Sequence, residues 1–295
     1  MNEQQWTRMA SGQGFIAALD QSGGSAPGAL ARYGIEVDPG GGDAATLDLI
    51  HRMRARIMMS PSFSSERVLG AILFAGTLDR DVGGRRTADF LWNVKGIVPF
   101  VKIDVGLADE RDGVRLMKSI PDLGSLLAKA GGEDVFGTKM RSVIDVGEMS
   151  SIRSVVAQQF EVAREVMAAG LVPIIEPEVS IDNPAKAAAE QTLFSLVSEE
   201  LDSLASDQQV MLKLTLPTVD GLYDDFVHHP RVLRVAALSG GYDRQEANMR
   251  LARNRGMIAS FSRALTEGLR VDQSEDEFDA CLARSVGSIF DASIT

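Results

Sequence analysis

Eight short apolar runs, separated by segments with helical spacing, constrain the fold of this 295-residue chain more than any other feature. The runs read as nearly continuous apolar stretches, as parallel strands covered on both faces do. The predicted strands span residues 15–20, 69–74, 98–103, 135–140, 171–176, 210–215, 232–238 and 256–261. Strands that alternate with helices in this way predict a parallel α/β fold.

The segments between these strands carry helical patterns with start and stop signals. Ser150 or Ser151 is the expected N-cap of one helix, which stops at Gly170, and Asn183 is the expected N-cap of the next, with Pro184 in its first turn. The predicted helices span residues 43–58, 151–170, 183–204, 241–254 and 274–290.

Eight such units predict a closed (β/α)₈ TIM barrel, with an open doubly wound sheet as the structural alternative. The segments 38–43 and 79–86 are interpreted as surface loops, and no linker is long enough to divide the chain. Residues 1–295 are therefore expected to form one domain.

Composition and charge exclude several function classes. A net charge of −11 argues against general affinity for nucleic acid or anionic membranes. Cys281 is the only cysteine, and its helical surroundings indicate a small buried side chain. The N-terminus lacks the apolar core of a signal peptide and no run is long enough to cross a membrane, so the expected location is the cytoplasm.

Polar residues in the apolar runs are concentrated near their C-terminal ends. In a (β/α)₈ barrel the active site lies at that end, because the βα loops open there. A random scatter of solvated charges would not favour the ends of apolar strands, although structural ion pairs across the barrel mouth remain an alternative. The residues are Asp20, Lys102, Lys139, Glu176, Lys213, Ser239 and Ser260.

Two pairs of charged residues have the spacing of one strand face. Glu176 and Glu178 are two residues apart, as are Lys139 and Arg141. Side chains two apart on a strand point the same way, so two carboxylates and two cations are expected in one mouth. Opposite charges would then offset each other's desolvation.

Lys213 lies between Leu212 and Leu214 with no acidic residue nearby in sequence. Apolar surroundings and a neighbouring cation such as Lys139 disfavour the charged form of an amine. A neutral amine attacks carbonyls to form a Schiff base. The alternative is an ordinary lysine that reaches the rim or pairs with Glu176 or Glu178.

Two segments have the pattern of anion sites. Residues 238–243 contain a Gly-Gly turn after the seventh strand, and residues 260–265 carry Arg263 at an expected helix start after the eighth. The loops after these two strands are the frequent phosphate site of this fold. Residues 20–25 supply a further glycine and hydroxyl loop after the first strand.

Nucleotide and metal motifs are not supported. The GQGFIA stretch at 12–17 precedes a strand, whereas a dinucleotide fingerprint follows one. The three histidines do not have metal-site spacing. Neither a metal nor an organic cofactor is therefore expected.

Seven of these motifs, in this order, resemble the class I, Schiff-base fructose-bisphosphate aldolases, and the compact bacterial form in particular. The likeness runs from Gly14 to Asp291. It implies a (β/α)₈ barrel that cleaves fructose 1,6-bisphosphate reversibly, without metal, in glycolysis and gluconeogenesis. The motifs are ALDQSGGS, FVKID, FGTKMR, VPIIEPEV, VMLKLTLP, ALSGGY and ASFSRAL.

The resemblance also implies roles for individual residues. Lys213 matches the Schiff-base lysine, Glu176 the general acid and base, and Asp20 the aspartate that takes the proton from the C4 hydroxyl. Glu178 matches a carboxylate that helps hold the lysine, and Lys139 a lysine that orients substrate. The substrate-binding matches are Arg141, with Ser239, Gly240, Gly241, Ser262 and Arg263 for the C1 phosphate and Ser22, Ser25 and Lys102 for the other phosphate.

Alternatives remain open. Larger animal members carry basic residues where this chain has Gly28 and Ala29, and a tail ending in tyrosine where it has DASIT. Other Schiff-base sugar-phosphate aldolases, such as a tagatose-bisphosphate aldolase or a transaldolase, share the chemistry. A non-catalytic sugar-phosphate-binding barrel belongs to a different class. The expected partners are phosphorylated ketoses and trioses, with no nucleic acid or membrane, and a homo-oligomer is an open alternative.

Overall fold

A computed structural model of the chain describes residues 2–37 and 42–295. Eight parallel strands stand in chain order, each hydrogen-bonded to the next. Beyond the last strand, the Ala18 N–H donates to the Phe261 carbonyl at 3.2 Å, which nearly closes the barrel. The strands are β1 Phe15–Leu19, β2 Val68–Phe74, β3 Val98–Lys102, β4 Gly137–Ile144, β5 Val172–Val179, β6 Val210–Thr215, β7 Val232–Leu238 and β8 Ile258–Ala259.

Helices cover the outside of this barrel and one end of it. The longer ones are α1 Glu3–Ser11, α2 Ser25–Tyr33, α3 Gly42–Met59, α4 Leu123–Gly132, α5 Met149–Ala168, α6 Lys186–Asp202, α7 Arg244–Ala252 and α8 Glu275–Ser293. Shorter helical segments lie at Ala75–Leu78, Thr87–Asp89, Phe90–Val94, Asp224–Val227 and Arg263–Thr266. Short strands pair at Asp81–Val82 with Arg85–Arg86, and at Val114–Arg115 with the end of β4.

The structure confirms the predicted barrel and excludes the open doubly wound sheet. Each predicted strand is present, but three differ in length. β4 and β5 continue to pair as far as Ile144 and Val179, so both are longer than their apolar runs. β8 pairs with β7 at only Ile258 and Ala259, because the chain turns away into the polar loop that follows.

Three predicted helix starts are wrong by a few residues; one of them is that of α7, which begins at Arg244 and not at Gly241. Helix α5 begins at Met149, with Glu148 at the N-cap position, ahead of the serines that were expected to cap it. Asn183 does accept a hydrogen bond from the Ala185 N–H at 2.8 Å, but helix α6 begins only at Lys186. The Asn183 side chain therefore caps a turn that precedes the helix. Ser274 and Glu277 form a full capping box at the start of α8.

Helix α1, which the sequence patterns did not predict, covers the N-terminal end of the barrel. Trp6 and Ala10 pack against the apolar cluster inside the barrel. Arg234, on β7, donates hydrogen bonds to the carbonyls of Met9, Ala10 and Gly12 at 2.8–3.2 Å. The guanidinium thereby satisfies carbonyls at the helix C-terminus that have no partner within the helix.

The buried apolar side chains form two layers. The larger layer lies between the strands and the surrounding helices. The smaller fills the barrel interior and includes Ile72, Phe100, Ile174, Met211 and Ala236. Near the C-terminal ends of the strands, charged and polar side chains take the place of this interior apolar cluster and line the open end of the barrel.

Of the two predicted loops, 79–86 contains a surface turn with positive φ at Gly83 and Gly84. Residues 38–41 of the other lie outside the described residues, and Gly42 begins α3. Within the described ranges, no helix combines the length and apolar character that a bilayer span requires.

Candidate active site

The C-terminal ends of the strands surround a pocket of about 900 Å³. All the residues predicted from the sequence line it except Gly241, which lies behind it against Arg263 and Ile181. The lining residues that were predicted are Asp20, Ser22, Ser25, Lys102, Lys139, Arg141, Glu176, Glu178, Lys213, Ser239, Gly240, Ser262 and Arg263.

Four buried charged side chains, connected by ion pairs, form the floor of the pocket. Lys213 Nζ lies 3.0 Å from Glu176 Oε1, and Lys139 Nζ lies 2.9 Å from Glu176 Oε2. Lys139 Nζ also lies 2.8 Å from Asp20 Oδ2. Glu176 therefore bridges two amines, and one of those amines connects it to Asp20.

Strand register explains this arrangement. The β5–β6 pairing places Ile175 opposite Leu212, so the following residues, Glu176 and Lys213, face each other across the two strands. Lys139 stands opposite Ile174 on the other side and reaches one pleat further to Glu176. The i, i+2 spacing keeps all of these side chains inside the barrel.

The four side chains on the pocket floor stabilise one another's charges. Burial alone would raise the pKa values of Asp20 and Glu176, but the nearby cations, above all the ammonium of Lys139, hold both values below their ordinary range. Burial would lower the pKa of Lys139, yet Asp20 and Glu176 raise it above its ordinary value. At neutral pH Asp20 and Glu176 are carboxylates and Lys139 is an ammonium.

A second pair lies toward the pocket opening. Arg141 Nε donates to Glu178 Oε2 at 2.6 Å, and this carboxylate raises the pKa of Arg141 against the lowering effect of burial. Glu178 contacts Arg141 here, whereas Glu176 is the carboxylate that contacts Lys213. The predicted meeting of two carboxylates and two cations in one mouth is thus confirmed, with the pairings resolved.

Asp104 belongs to the site and was not predicted. Lys102 Nζ lies 2.6 Å from Asp104 Oδ1, and the Asp104 side chain is almost fully buried. Lys102 and Asp104 are two residues apart, as are Lys139 and Arg141. This spacing is the sequence feature that could have identified Asp104.

The loops after β7 and β8 form the wall with the expected anion site. Ser239 and Gly240 follow β7, and Gly240 has a φ of +63°, which brings the backbone close to the pocket. Ser262 Oγ accepts a hydrogen bond of 2.7 Å from Gln21 Nε2, which ties this wall to the loop after β1. The Arg263 guanidinium is exposed and, among the described residues, has no ion-pair partner.

Arg54, a buried arginine that was not among the predicted site residues, supports the loop after β1. Its guanidinium donates to the Gln21 carbonyl, and its Nη1 lies 3.1 Å from Thr77 Oγ1. Burial lowers the pKa of Arg54 to about 10, even though Asp20 acts in the opposite direction. Arg54 follows the apolar position Ile50 by four residues, which placed a charge on the buried face of the predicted helix.

The pocket is strongly cationic for a chain of this net charge. Its lining carries four carboxylates and seven lysine or arginine side chains, whereas the whole chain has a net charge of −11. In the part of the chain that the structure describes, no three His, Cys, Asp or Glu side chains converge as metal ligands. Each carboxylate of the pocket instead faces a lysine or arginine.

Comparisons with known proteins give the family. The family described as "Fructose-bisphosphate aldolase class-I" matches residues 7–220. The class 1 fructose-bisphosphate aldolase of Synechocystis sp. is 55% identical over 294 residues, which cover 100% of this chain and 98% of that protein.

Among solved structures, the fructose-bisphosphate aldolase of Plasmodium falciparum, crystallised with TRAP and a small-molecule inhibitor, superposes with a TM-score of 0.78. That match covers 98% of this chain and 94% of the other, at 19% identity, and it shows the shared fold. The family match over more than half of the chain and the 55% identity to the Synechocystis enzyme over the full length establish the family. The chain belongs to the class I fructose-bisphosphate aldolases.

Proposed function

We propose that the chain catalyses the reversible cleavage of fructose 1,6-bisphosphate to dihydroxyacetone phosphate and glyceraldehyde 3-phosphate through a Schiff base on Lys213. One observation carries the mechanism: Lys213 Nζ is buried at the end of β6, 3.0 Å from a carboxylate that also binds the ammonium of Lys139. Family membership and the 55% identity to the Synechocystis enzyme support the reaction.

Proton exchange between Lys213 and Glu176 prepares the nucleophile. Lys139 stays charged because Asp20 and Glu176 both bind it. Lys139 therefore cannot accept a proton. Glu176, whose carboxylate contacts Lys213 Nζ, takes the proton from the Lys213 amine. The neutral amine attacks the ketone carbon, and the same carboxyl returns protons as the carbinolamine loses water.

Asp20 takes the proton from the C4 hydroxyl as the C3–C4 bond breaks. Its low pKa keeps it ionised and able to accept a hydrogen bond from that hydroxyl at neutral pH. The bonding electrons move into the protonated Schiff base, and the product left on Lys213 is a neutral enamine. Lys139 lies beside both Asp20 and Glu176 and orients the two carboxylates.

Two groups of pocket residues hold the phosphates. Ser239, Gly240, Ser262 and Arg263 take the C1 phosphate, with Gly241 shaping the turn behind them. Ser22, Ser25 and Lys102 take the other phosphate. Holding both ends fixes the scissile bond against Asp20, and orientation of this kind contributes up to about 7–11 kcal/mol in favourable cases.

Trapping the Schiff base tests the proposal. The protein is incubated with dihydroxyacetone phosphate and borohydride, and the adduct is mapped by mass spectrometry. We expect a reduced adduct on Lys213 and none in Lys213→Met, which keeps the side chain's length without the amine. Lys118→Met, at the exposed rim of the pocket, is the matched control and should keep the adduct.

Binding of the triose phosphate without an adduct would favour a non-catalytic sugar-phosphate-binding barrel. Comparison of fructose and tagatose bisphosphates as substrates determines the preference at C4, and a transaldolase would turn over neither. Cleavage should be unchanged by a chelator. Cytoplasmic location and assembly into a homo-oligomer stay predictions.

A further inference from the structure

The last turn of α2 carries a cation for which the proposed mechanism has no role. Arg32 lines the pocket, and its side chain is exposed. Within the described ranges its guanidinium has no ion pair or hydrogen bond. A guanidinium at the edge of a cavity with no carboxylate partner is free to bind an anion.

The position of this guanidinium depends on Gly28. Arg32 Nη1 lies 3.6 Å from the point where a Cβ on Gly28 would stand, so the side chain folds back over one helical turn. Long helical side chains point toward the helix N-terminus, which here is the end that carries Ser25. A glycine inside a helix destabilises that helix relative to alanine. A side chain larger than alanine at position 28 would compete for the space that Arg32 occupies.

The charges around the pocket favour an anion at this place. Lys102, Lys139, Arg141 and Lys213 each pair with a carboxylate of the pocket lining. The three lining cations without a carboxylate partner among the described residues are Arg32, Lys118 and Arg263. Arg263 belongs to the wall formed by the β7 and β8 loops, whereas Arg32 stands beside the loop of Ser22 and Ser25 on the wall formed after β1.

We propose that Arg32, folded back over Gly28, binds the phosphate at the aldehyde end of the substrate and makes the enzyme prefer ketose 1,6-bisphosphates over ketose 1-phosphates. This inference rests on the proposed function for the identity of the substrate. Arg32 supplies to this phosphate the guanidinium that Arg263 supplies to the other. Because Arg32 is exposed, solvent weakens the contact relative to a buried one.

The test compares two substrates that differ only in the second phosphate. For Arg32→Gln we expect kcat/KM to fall about 10-fold for fructose 1,6-bisphosphate and to stay within about 2-fold for fructose 1-phosphate. Arg255→Gln, an exposed arginine before β8 and outside the pocket, should change neither value. The double variant Arg32→Gln with Gly28→Lys carries an ammonium one helical turn nearer the serine loop, and it should recover part of the loss.

Equal losses on both substrates, or no loss on either, would overturn the proposal. A selective loss in Lys118→Gln but not in Arg32→Gln would assign this phosphate to Lys118 and would also overturn the proposal. Calorimetry with hexitol 1,6-bisphosphate, which has no carbonyl, gives a readout independent of catalysis. If the wild-type protein cleaves neither sugar, the proposed function fails, while a roughly 10-fold weaker hexitol bisphosphate affinity in Arg32→Gln would still support the anion site.

Discussion

At the scale of single residues, the proposed mechanism depends on one carboxylate that contacts two amines. Glu176 is buried and contacts Lys139 through one oxygen and Lys213 through the other. An isolated carboxylate at this depth would be costly, and two cations offset that cost. The arrangement also gives Lys213 a neighbour that can hold its proton.

Glu176→Gln should remove proton transfer while leaving the amine in place. The amide cannot take a proton from Lys213 or return one to the enamine, so we expect exchange of the dihydroxyacetone phosphate C3 proton with solvent to fall by about 10²–10⁴-fold. Cleavage followed with a chemical trap for the enamine should fall less. Glu178→Gln, which removes the neighbouring carboxylate that contacts Arg141, is the control. An unchanged exchange rate in Glu176→Gln would rule out this role.

At the scale of elements, the backbone pairing between β5 and β6 is limited to Ile174–Met211 and Ile175–Leu212. Just beyond it stand Glu176 and Lys213. Further toward the pocket, the buried Thr215 Oγ1 donates to the Val179 carbonyl at 2.7 Å. This side-chain bond holds the two strands together on the far side of Glu176 and Lys213.

Thr215→Val should therefore affect the site more than the fold. Valine keeps the shape but leaves the Val179 carbonyl unpaired, at a cost of about 1–3 kcal/mol in the free energy of unfolding. We expect kcat for cleavage to fall because Lys213 and Glu176 are less well positioned. Thr215→Ser, which keeps the hydroxyl, should retain most of kcat. Equal kcat values for the two variants would show that the bond does not position the pair.

The attachment of α1 is a second test at this scale. Arg234→Ala removes the donors to Met9, Ala10 and Gly12, so we expect the free energy of unfolding to fall by about 2–4 kcal/mol, measured by urea denaturation. Arg231→Ala removes an exposed contact with the Ser206 carbonyl and should cost less than about 1 kcal/mol. Because α1 covers the end opposite the pocket, kcat should not change in either variant. A stability of Arg234→Ala equal to that of Arg231→Ala would contradict this account.

At the scale of the whole molecule, the buried ionic cluster makes stability depend on pH. The folded-state pKa values of Asp20 and Glu176 lie below their ordinary values of 3.8 and 4.5, so their contribution is full above those values and is lost as the pH falls. The pKa of Lys139 lies above its ordinary value of 10.5, so its contribution is full below that value and is lost at higher pH. The cluster therefore contributes fully between about pH 5 and 10.

Urea unfolding from pH 2.5 to pH 8 measures this dependence. Removing one titrating carboxylate in Asp20→Asn should reduce the slope of unfolding free energy against pH below about pH 4, by up to about 1.4 kcal/mol per pH unit. Near neutral pH the variant should also be less stable, because Lys139 loses a partner. Identical acid slopes in the two proteins would mean that folding does not lower the pKa of Asp20.

Much of the fold and of the pocket was predictable because the signals are local. An apolar run marks a strand wherever it occurs, and a polar residue at the end of such a run is near the mouth of any barrel those strands form. Helix boundaries were less predictable at Ser150 and Asn183, since a capping residue also occurs in a turn that precedes a helix. Helix α1 was missed because its face is covered by the barrel end, a surface that exists only after the strands have closed.

The sequence by itself determined the number of strands, the end of the barrel where the charged residues collect, and the residue types present there. The tertiary structure alone decided that Glu176 joins Lys139 to Lys213, that Glu178 instead holds Arg141, and that Asp104, Arg54 and Arg32 belong to the site. The reason is physical. Strand identity follows from a few neighbouring residues, whereas the partner of each charge depends on how strands far apart in the chain are staggered against one another.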